Sequence, residues 1–241
     1  MKLIVAGATG FVGTAVIRQA IHNPAITSII ALARRKTTVP KDAGQDASKV
    51  KSVILDDFTK YPENVKSELA GAHACIWLLA ITPAKSSVLP WEEVRRICYE
   101  YTAVGIDEIS SVASKPFRFS YVSGSNAERD QTKKPWVLGD YILMRGRVES
   151  HVLNFAKESK GDVEACVAKP GMIEPPGGSN IASGMFKAAV GYLVGVPRVG
   201  LEQVAATLIN QAVGGFEKET LLNEDLVRIG SKVLEASGND K

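Results

Sequence analysis

KLIVAGATGFVG, residues 2–13, is the stretch of sequence that decides the fold. Residues 2–6 form a short apolar run typical of a buried strand, and the three glycines after it have GxxGxxG spacing. Apolar residues then recur at helical spacing over 11–21, before an Asn-Pro pair ends the pattern. A strand, a glycine turn and an amphipathic helix in this order predict a βαβ unit of a parallel sheet.

Each glycine of this turn has a separate physical role in a unit that binds a dinucleotide. Gly7 permits the tight turn, Gly10 lets the backbone approach a pyrophosphate, and Gly13 lets the helix pack close to the sheet. The N–H groups and the partial positive charge at the start of the helix attract an anion. We therefore expect a nicotinamide dinucleotide to bind here.

Outward from this unit, short apolar runs alternate with segments of helical period. The predicted strands are residues 28–33, 50–55, 74–80, 117–122 and 163–168, and the predicted helices are residues 63–69, 91–111 and 139–157. Strands that are apolar on both faces and alternate with helices predict a parallel sheet covered on two sides. The fold class is therefore α/β, a doubly wound (Rossmann) sheet.

The pattern changes after Pro170, where a loop rich in proline and glycine begins. Beyond it the spacing predicts a helix over 181–194, a short strand over 196–199 and a helix over 203–212. We interpret residues 1–241 as a single dinucleotide-binding domain. Within it, residues 172–200 are predicted to form a small lid or substrate segment over the carboxyl ends of the strands.

Composition excludes several other classes of protein. The 241 residues are 45% hydrophobic and 23% charged, with a net charge of +3 spread along the chain, which does not suit a nucleic-acid-binding face. The three cysteines form no CxxC pair and the three histidines are isolated, so neither a disulfide framework nor a metal site is expected. Without a membrane-length apolar run, and with a strand beginning at Lys2, we expect a cytoplasmic protein that is not bound to membranes.

Two arginines follow the second predicted strand and bear on the choice of cofactor. In this position an acidic residue would bond the ribose 2′-hydroxyl of NAD, whereas arginine accommodates the 2′-phosphate of NADP. Arg34 and Arg35 stand there, and no Asp or Glu lies between residues 25 and 41. The sequence therefore favours NADP.

Taken together, these segments resemble the atypical short-chain dehydrogenase/reductase superfamily, and most closely its Tat-interacting-protein-like subgroup, which binds NADPH. The resemblance extends over about residues 1–212. It rests on GATGFVG, the Arg34-Arg35-Lys36 cluster, Asp57-Phe58, the segment YILMRGRVE at 141–149, the turn KPGM at 169–172, and VPRV at 196–199 with the helix after it.

The resemblance implies a role for each matching residue. The pyrophosphate would be lined by Gly7, Thr9, Gly10, Phe11 and Val12, the 2′-phosphate would be held by Arg34 and Arg35, and the adenine would be flanked by Asp57 and Phe58. The ribose and nicotinamide would lie near Leu79, Ala80, Pro170, Gly171 and Met172. Tyr141 would donate a proton and Ser123 or Ser125 would hydrogen-bond the substrate carbonyl, with the choice between the two serines open.

One position departs from the family pattern, because Arg145 stands where the family has a lysine. The i, i+4 spacing places Tyr141 and Arg145 on one helix face, where a cation is expected to lower the tyrosine pKa. Arginine keeps its proton in proteins, so it cannot relay one. Arg145 could still stabilise a phenolate and bond the ribose hydroxyls.

The sequence leaves three functions to compare. The first is an NADPH-dependent reductase of a carbonyl or activated alkene on a small organic substrate. The alternative is a non-catalytic NADPH-sensing protein that binds a partner, which the arginine favours. A nucleotide-sugar epimerase is disfavoured, because only about 70 residues follow Pro170. The oligomeric state is not readable from the sequence.

Overall fold

Seven parallel strands form the central sheet of the computed structural model, which describes residues 1–39, 41–177 and 195–239. The strands of the protein are β1 (Lys2–Ala6), β2 (Ser28–Ala33), β3 (Val50–Ile54), β4 (Ala74–Trp77), β5 (Phe117–Val122), β6 (Val163–Lys169), β7 (Met172–Glu174), β8 (Arg198–Gly200) and β9 (Thr220–Leu222). The sheet order is β3-β2-β1-β4-β5-β6-β9, and β7 pairs with β8 in a separate two-stranded sheet. This order reverses direction at β1, so the predicted doubly wound α/β fold is confirmed.

Helices cover both faces of the sheet. They are α1 (Phe11–Ile21), α2 (Glu63–Leu69), α3 (Pro83–Ser86), α4 (Trp91–Arg95), α5 (Tyr101–Val112), α6 (Gly139–Glu158), α7 (Leu201–Gly214) and α8 (Asn223–Asn239). Alternate strand residues point to opposite faces, so Ile4 and Trp77 pack in the layer of α2, α5 and α6. Leu3 and Ile76 pack in the layer of α1, α7 and α8.

Several predicted boundaries differ from the structure. The strand predicted over 74–80 ends at Trp77, because β1 ends opposite it and the last sheet bond is donated by the Leu78 N–H to the Ala6 carbonyl. The helix predicted over 91–111 contains a π-helical turn at Arg96–Glu100. Between β2 and β3 the chain forms 3₁₀ turns at Lys41–Lys49, and the strand predicted over 196–199 lies at Arg198–Gly200.

The C-terminal region holds three elements that the sequence pattern did not predict, β7, β9 and α8. Strand β9 extends the sheet beside β6, and α8 packs on α7, where Gly230 meets the Gln203 carbonyl too closely for a Cβ. Of the predicted lid segment, residues 178–194 and the helix predicted there lie outside the described residues. The lid and the single-domain interpretation stay predictions. No helix in the described part of the chain combines the length and apolar character needed to cross a membrane.

Candidate active site

The glycine turn joins β1 directly to α1 at the carboxyl edge of the sheet. Gly7 has a φ of +87°, a conformation that side chains disfavour, and its N–H donates to the Leu32 carbonyl at 2.9 Å. A Cβ on Gly13 would lie 2.4 Å from the Gly7 carbonyl oxygen. The first and third glycines are therefore required by the fold of the turn itself.

Gly10 differs from these two, because it is exposed and has an ordinary extended backbone. Among the described residues, a Cβ there would meet the Gly7 oxygen alone, at 3.1 Å. Helix α1 begins after it with no side-chain cap and no acidic residue in its first turn, and Phe11 is 53% exposed. Its first N–H groups are thus open to an anion, so this turn fits the pyrophosphate of a dinucleotide.

The basic cluster after β2 lies at the same edge of the sheet. Arg34, Arg35 and Lys36 are all exposed. Within the described ranges, no carboxylate forms an ion pair with Arg34 or Arg35. Their charges are therefore available to a phosphate, while their role toward a 2′-phosphate stays a prediction.

The two residues predicted to flank adenine, Asp57 and Phe58, have different surroundings in the structure. The Asp57 carboxylate accepts hydrogen bonds from the Thr59 N–H (3.0 Å) and hydroxyl (2.7 Å) and from Arg96 Nη2 (2.9 Å). The Thr59 bonds above all, with Arg96 adding its charge, lower the Asp57 pKa. The Phe58 side chain is fully buried against Trp77, so only its backbone can face a ligand.

Tyr141 lies near the start of α6 and faces the loop that follows β4. Its hydroxyl donates to the Ile81 carbonyl at 2.7 Å, and only 9% of the residue is exposed. Leu79 and Ala80, half-buried, precede Ile81 in that loop. Burial raises the Tyr141 pKa and outweighs the opposite influence of Arg145, so the predicted lowering of this pKa is wrong.

Arg145 lies one turn further along α6 and is buried. Its Nη2 donates to the Val122 carbonyl at 2.9 Å, and its guanidinium carbon lies 5.1 Å from the centre of the Tyr121 ring. Among the described residues, its Nη1 finds no hydrogen-bond partner. The spacing did place the phenol and the cation on one face, but the cation points into the packed interface of α6 with the sheet.

The two candidate serines have different surroundings at the end of β5. Ser123 donates its hydroxyl proton to Glu149 Oε1 at 2.6 Å. Ser125 donates only a long bond of 3.3 Å to the neighbouring Asn126 side chain. A hydroxyl has one proton with which to donate a hydrogen bond. The Ser123 hydroxyl already donates to Glu149, whereas the Ser125 hydroxyl can readily exchange its long bond for one to a substrate.

Glu149 is the centre of a buried ionic cluster that sequence reasoning missed. Its carboxylate is fully buried and accepts hydrogen bonds from Arg129 Nε (2.7 Å), Lys169 Nζ (3.1 Å) and Ser123. Arg129 also donates to the Thr220 hydroxyl at 2.9 Å, which links the cluster to β9. Glu149 ends the segment YILMRGRVE and Lys169 begins the turn KPGM, so a carboxylate and a cation in two family-like segments are the sequence signal from which this pair could be predicted.

The turn after β6 is held rigidly by the C-terminal region. The Gly171 N–H donates to Asn223 Oδ1 at 2.8 Å, and the Asn223 side chain donates to the Arg198 carbonyl. A Cβ on Gly171 would lie 1.9 Å from the Pro197 oxygen. Pro170, Gly171 and Met172 are thus fixed at the carboxyl edge, and their contact with a nicotinamide stays a prediction.

Comparison with curated proteins finds two relatives of low identity, while no protein-family model matches the chain. Protein FMP52, mitochondrial, of Candida albicans is 26% identical over 200 residues, which are 75% of this chain and 84% of that protein. Leucinostatins biosynthesis cluster protein T of Purpureocillium lilacinum is 31% identical over 127 residues, 51% of this chain and 42% of that protein. The name of the Candida albicans relative describes that protein as mitochondrial, whereas the sequence of this chain predicts a cytoplasmic protein. The cellular compartment of this chain therefore stays a prediction.

Solved structures share the fold along almost the whole chain. MoeE5 in complex with UDP-glucuronic acid and NAD has a TM-score of 0.67 at 15% identity, over 99% of this chain and 83% of its own. DesIV of Streptomyces venezuelae, a dTDP-glucose 4,6-dehydratase with NAD bound, has a TM-score of 0.68 at 13% identity, over 99% and 81%. The PhqB reductase domain of Penicillium fellutanum has a TM-score of 0.66 at 14% identity, over 93% and 67%. This chain therefore has the doubly wound Rossmann fold that these structures share, as its motifs predicted.

Proposed function

We propose that this protein is an NADP-dependent oxidoreductase of the short-chain dehydrogenase/reductase type that reduces a carbonyl or activated alkene on a small organic molecule. The observation that carries the proposal is the placement of Tyr141 and Ser125 at the carboxyl edge of the sheet, where the open glycine turn also lies. In doubly wound sheets, ligands bind at this edge beside the point where the strand order reverses.

Different residues at this edge would bind different parts of the dinucleotide. The N–H groups at the start of α1, left open by Gly10, would hold the pyrophosphate, and Arg34 and Arg35 would hold the 2′-phosphate. The bound nicotinamide dinucleotide supplies the hydride of such a reaction. Everything else must come from side chains of this chain, namely a group that holds the substrate oxygen and a group that gives it a proton.

Tyr141 is suited to give that proton. A phenol is protonated at neutral pH, and burial raises the Tyr141 pKa further, so Tyr141 can donate a proton to a developing alkoxide, which is the stronger base. Arg145 lies close enough to stabilise a phenolate, and solvent or a ribose hydroxyl would restore the proton.

Ser125 is the better candidate for the group that holds the substrate oxygen. Its proton is bound only through the long bond to Asn126, whereas the Ser123 proton is donated to a buried carboxylate. A hydroxyl aimed at a developing oxyanion stabilises the transition state more than the ground state. Ser123 would then fix the end of β5 through Glu149.

The reductase proposal is tested by adding NADPH and a panel of aldehydes, ketones and enones to the purified protein and following nicotinamide absorbance. UDP-glucose and dTDP-glucose with NAD are included as probes of nucleotide-sugar chemistry. Tyr141→Phe should lower any turnover by about 10²–10⁴-fold with little change in NADPH affinity. Tyr61→Phe removes another buried hydroxyl and should leave turnover unchanged. Equal turnover in wild type and Tyr141→Phe would contradict the tyrosine mechanism.

The choice of cofactor is tested at the basic cluster. Arg34→Ala should weaken NADPH binding by about tenfold to a hundredfold, the loss expected for one charge-assisted contact, and leave NADH binding nearly unchanged. Calorimetric titration measures both affinities. Arg18→Ala is the matched control, since Arg18 is a surface arginine of α1 that pairs with Glu202. Equal affinity of the wild-type protein for NADPH and NADH would overturn the NADP proposal.

A second function, a non-catalytic NADPH-sensing protein that binds a partner, has one observation in its favour. Both Tyr141 and Arg145 donate to backbone carbonyls, of Ile81 and Val122, so both contribute to packing without any substrate. Tight NADPH binding with no turnover on any substrate of the panel would favour this alternative over the reductase.

A further inference from the structure

The π-helical turn at Arg96–Glu100 places a cysteine beside the candidate active site. A π turn inserts a residue into a helix and changes where the side chains point, and such turns recur at functional sites. Here the turn directs Cys98 into the fully buried layer between α5, α6 and the sheet. Its sulfur accepts a hydrogen bond from the Ile81 N–H at 3.2 Å.

Ile81 is held on both of its backbone polar groups. The N–H is bound by Cys98, and the carbonyl accepts the Tyr141 hydroxyl at 2.7 Å. The loop after β4 has left the sheet at this point, so no strand partner fixes the direction of that carbonyl. The hydrogen bond from the Ile81 N–H to the Cys98 sulfur therefore fixes the direction of the Ile81 carbonyl, which is the acceptor of the Tyr141 hydroxyl.

Among the described residues, Arg145 on α6 and Cys98 in the π turn both influence the pKa of the phenol. Tyr121 on β5 lies on the other side of Arg145, with its ring centre 5.1 Å from the guanidinium carbon. Arg145 favours the phenolate, whereas burial and donation to a carbonyl favour the protonated phenol. The proton of Tyr141 is thus held by a bond that depends on the position of Ile81.

We propose that Cys98 is a positioning residue for Tyr141: by binding the Ile81 N–H, it sets the carbonyl that holds the phenol proton until a substrate oxygen takes the place of that carbonyl. The proposal rests on the proposed function, because it assigns Tyr141 as the proton donor. The exchange of one acceptor for another breaks no covalent bond. Cys98 itself never needs to contact the substrate.

The test is a spectroscopic titration of tyrosinate absorbance in the protein without substrate. Tyr141 is isolated by subtracting the titration of the same variant that also carries Tyr141→Phe. Cys98→Ala should shift Tyr141 ionisation down by about half a pH unit, because the phenol loses a well-placed acceptor while the Arg145 cation remains. Cys98→Ser keeps an acceptor and should restore most of the wild-type value.

Cys166→Ala is the matched control, since Cys166 is a buried cysteine in the layer on the other face of the sheet. It should leave the Tyr141 titration unchanged. A folded Cys98→Ala protein whose Tyr141 titrates as in wild type would overturn the proposal. A shift without any NADPH turnover would retain the positioning role and remove the reductase function, so the two failures are distinguishable.

A measurement on the wild-type protein covers the case in which Cys98→Ala does not fold. Amide hydrogen exchange should show the Ile81 N–H protected well beyond the amides of Leu79 and Ala80, which precede it in the loop after β4, because a buried sulfur accepts it. Exchange of this amide at the rate of an exposed loop would overturn the proposal.

Discussion

At the scale of single residues, the glycine turn separates binding from folding. Gly10→Val should abolish dinucleotide binding and leave a folded protein, because its side chain would occupy the space that the pyrophosphate needs, while its Cβ would meet the Gly7 oxygen at 3.1 Å, less closely than a Cβ at Gly13. The backbone of Gly10, with φ −81° and ψ 171°, is one that valine adopts readily. Calorimetric titration with NADPH and circular dichroism measure the two effects.

Gly13→Val is the matched comparison for this prediction. A Cβ at Gly13 would lie 2.4 Å from the Gly7 oxygen, so this variant should unfold or lose much of its stability. A Gly10→Val protein that binds NADPH as the wild type does would place the dinucleotide site elsewhere in the molecule.

The two serines at the end of β5 should respond differently to the loss of a hydroxyl. Ser125→Ala is expected to lower turnover by about 10²-fold, the typical loss for one donor to a developing oxyanion, with stability unchanged. Ser123→Ala removes a donor from buried Glu149 and should cost about 1–3 kcal/mol of stability, with a smaller effect on turnover. Steady-state kinetics and urea unfolding of both variants check this. The reverse ranking would make Ser123 the residue that contacts substrate.

Sequence alone predicted the placement of these residues better than their chemistry. The i, i+4 spacing brought Tyr141 and Arg145 to one face of α6, as helix geometry requires. The direction of the Tyr141 pKa depends on burial, which is set by the loop after β4 and by α5, far away in sequence. The Ser123 hydroxyl likewise donates its hydrogen bond to Glu149, which lies 26 positions later in the sequence. Such tertiary contacts leave no local pattern in the sequence.

At the scale of secondary-structure elements, the packing of the 123–138 loop on α6 depends on one glycine. A Cβ on Gly146 would lie 1.7 Å from the Glu128 carbonyl oxygen. Gly146→Ala should therefore destabilise the protein by about 1–3 kcal/mol, although alanine is the better helix former by about 1 kcal/mol. It should also displace Arg129, the next residue of the loop, from Glu149. Urea unfolding measures the loss.

Gly214→Ala provides the control at the end of α7. This glycine is exposed and a Cβ there would meet no atom of the described residues within 4 Å, so alanine should be neutral or slightly stabilising. If Gly146→Ala were as stable as Gly214→Ala, the loop would not be held against α6 as described.

Elements with a clear apolar pattern were predicted well from the sequence, whereas very short or distorted ones were not. Strands β1, β2 and β5 and helix α2 have the predicted bounds, because buried parallel strands are apolar on both faces. Strand β9 is three residues long, too short for a period to be visible, and it forms only by pairing with β6. The π turn at Arg96–Glu100 has the same apolar pattern as an α-helix, so its extra residue could not be recognised in the sequence.

At the scale of the whole molecule, five buried thiol and phenol groups should limit the stability of the folded protein at high pH. Burial raises the pKa of the thiols of Cys75 and Cys166, the latter to about 12, and of the phenols of Tyr61, Tyr121 and Tyr141. In the unfolded chain the thiols ionise near pH 9 and the phenols near pH 10, whereas the folded protein keeps these protons. Unfolding therefore releases protons above these pH values, and stability falls as pH rises.

This alkaline loss of stability should be steep and separable by mutation. Each retained proton costs about 1.4 kcal/mol of stability per pH unit above the unfolded pKa, so the urea midpoint should fall sharply between pH 9 and pH 11. Tyr121→Phe removes one of these groups, and the Tyr121 hydroxyl has no hydrogen-bond partner within the described residues. The variant should match or exceed wild-type stability at pH 8 and lose stability less steeply above pH 10. A wild-type midpoint at pH 11 equal to that at pH 8 would show that these groups ionise freely in the folded protein.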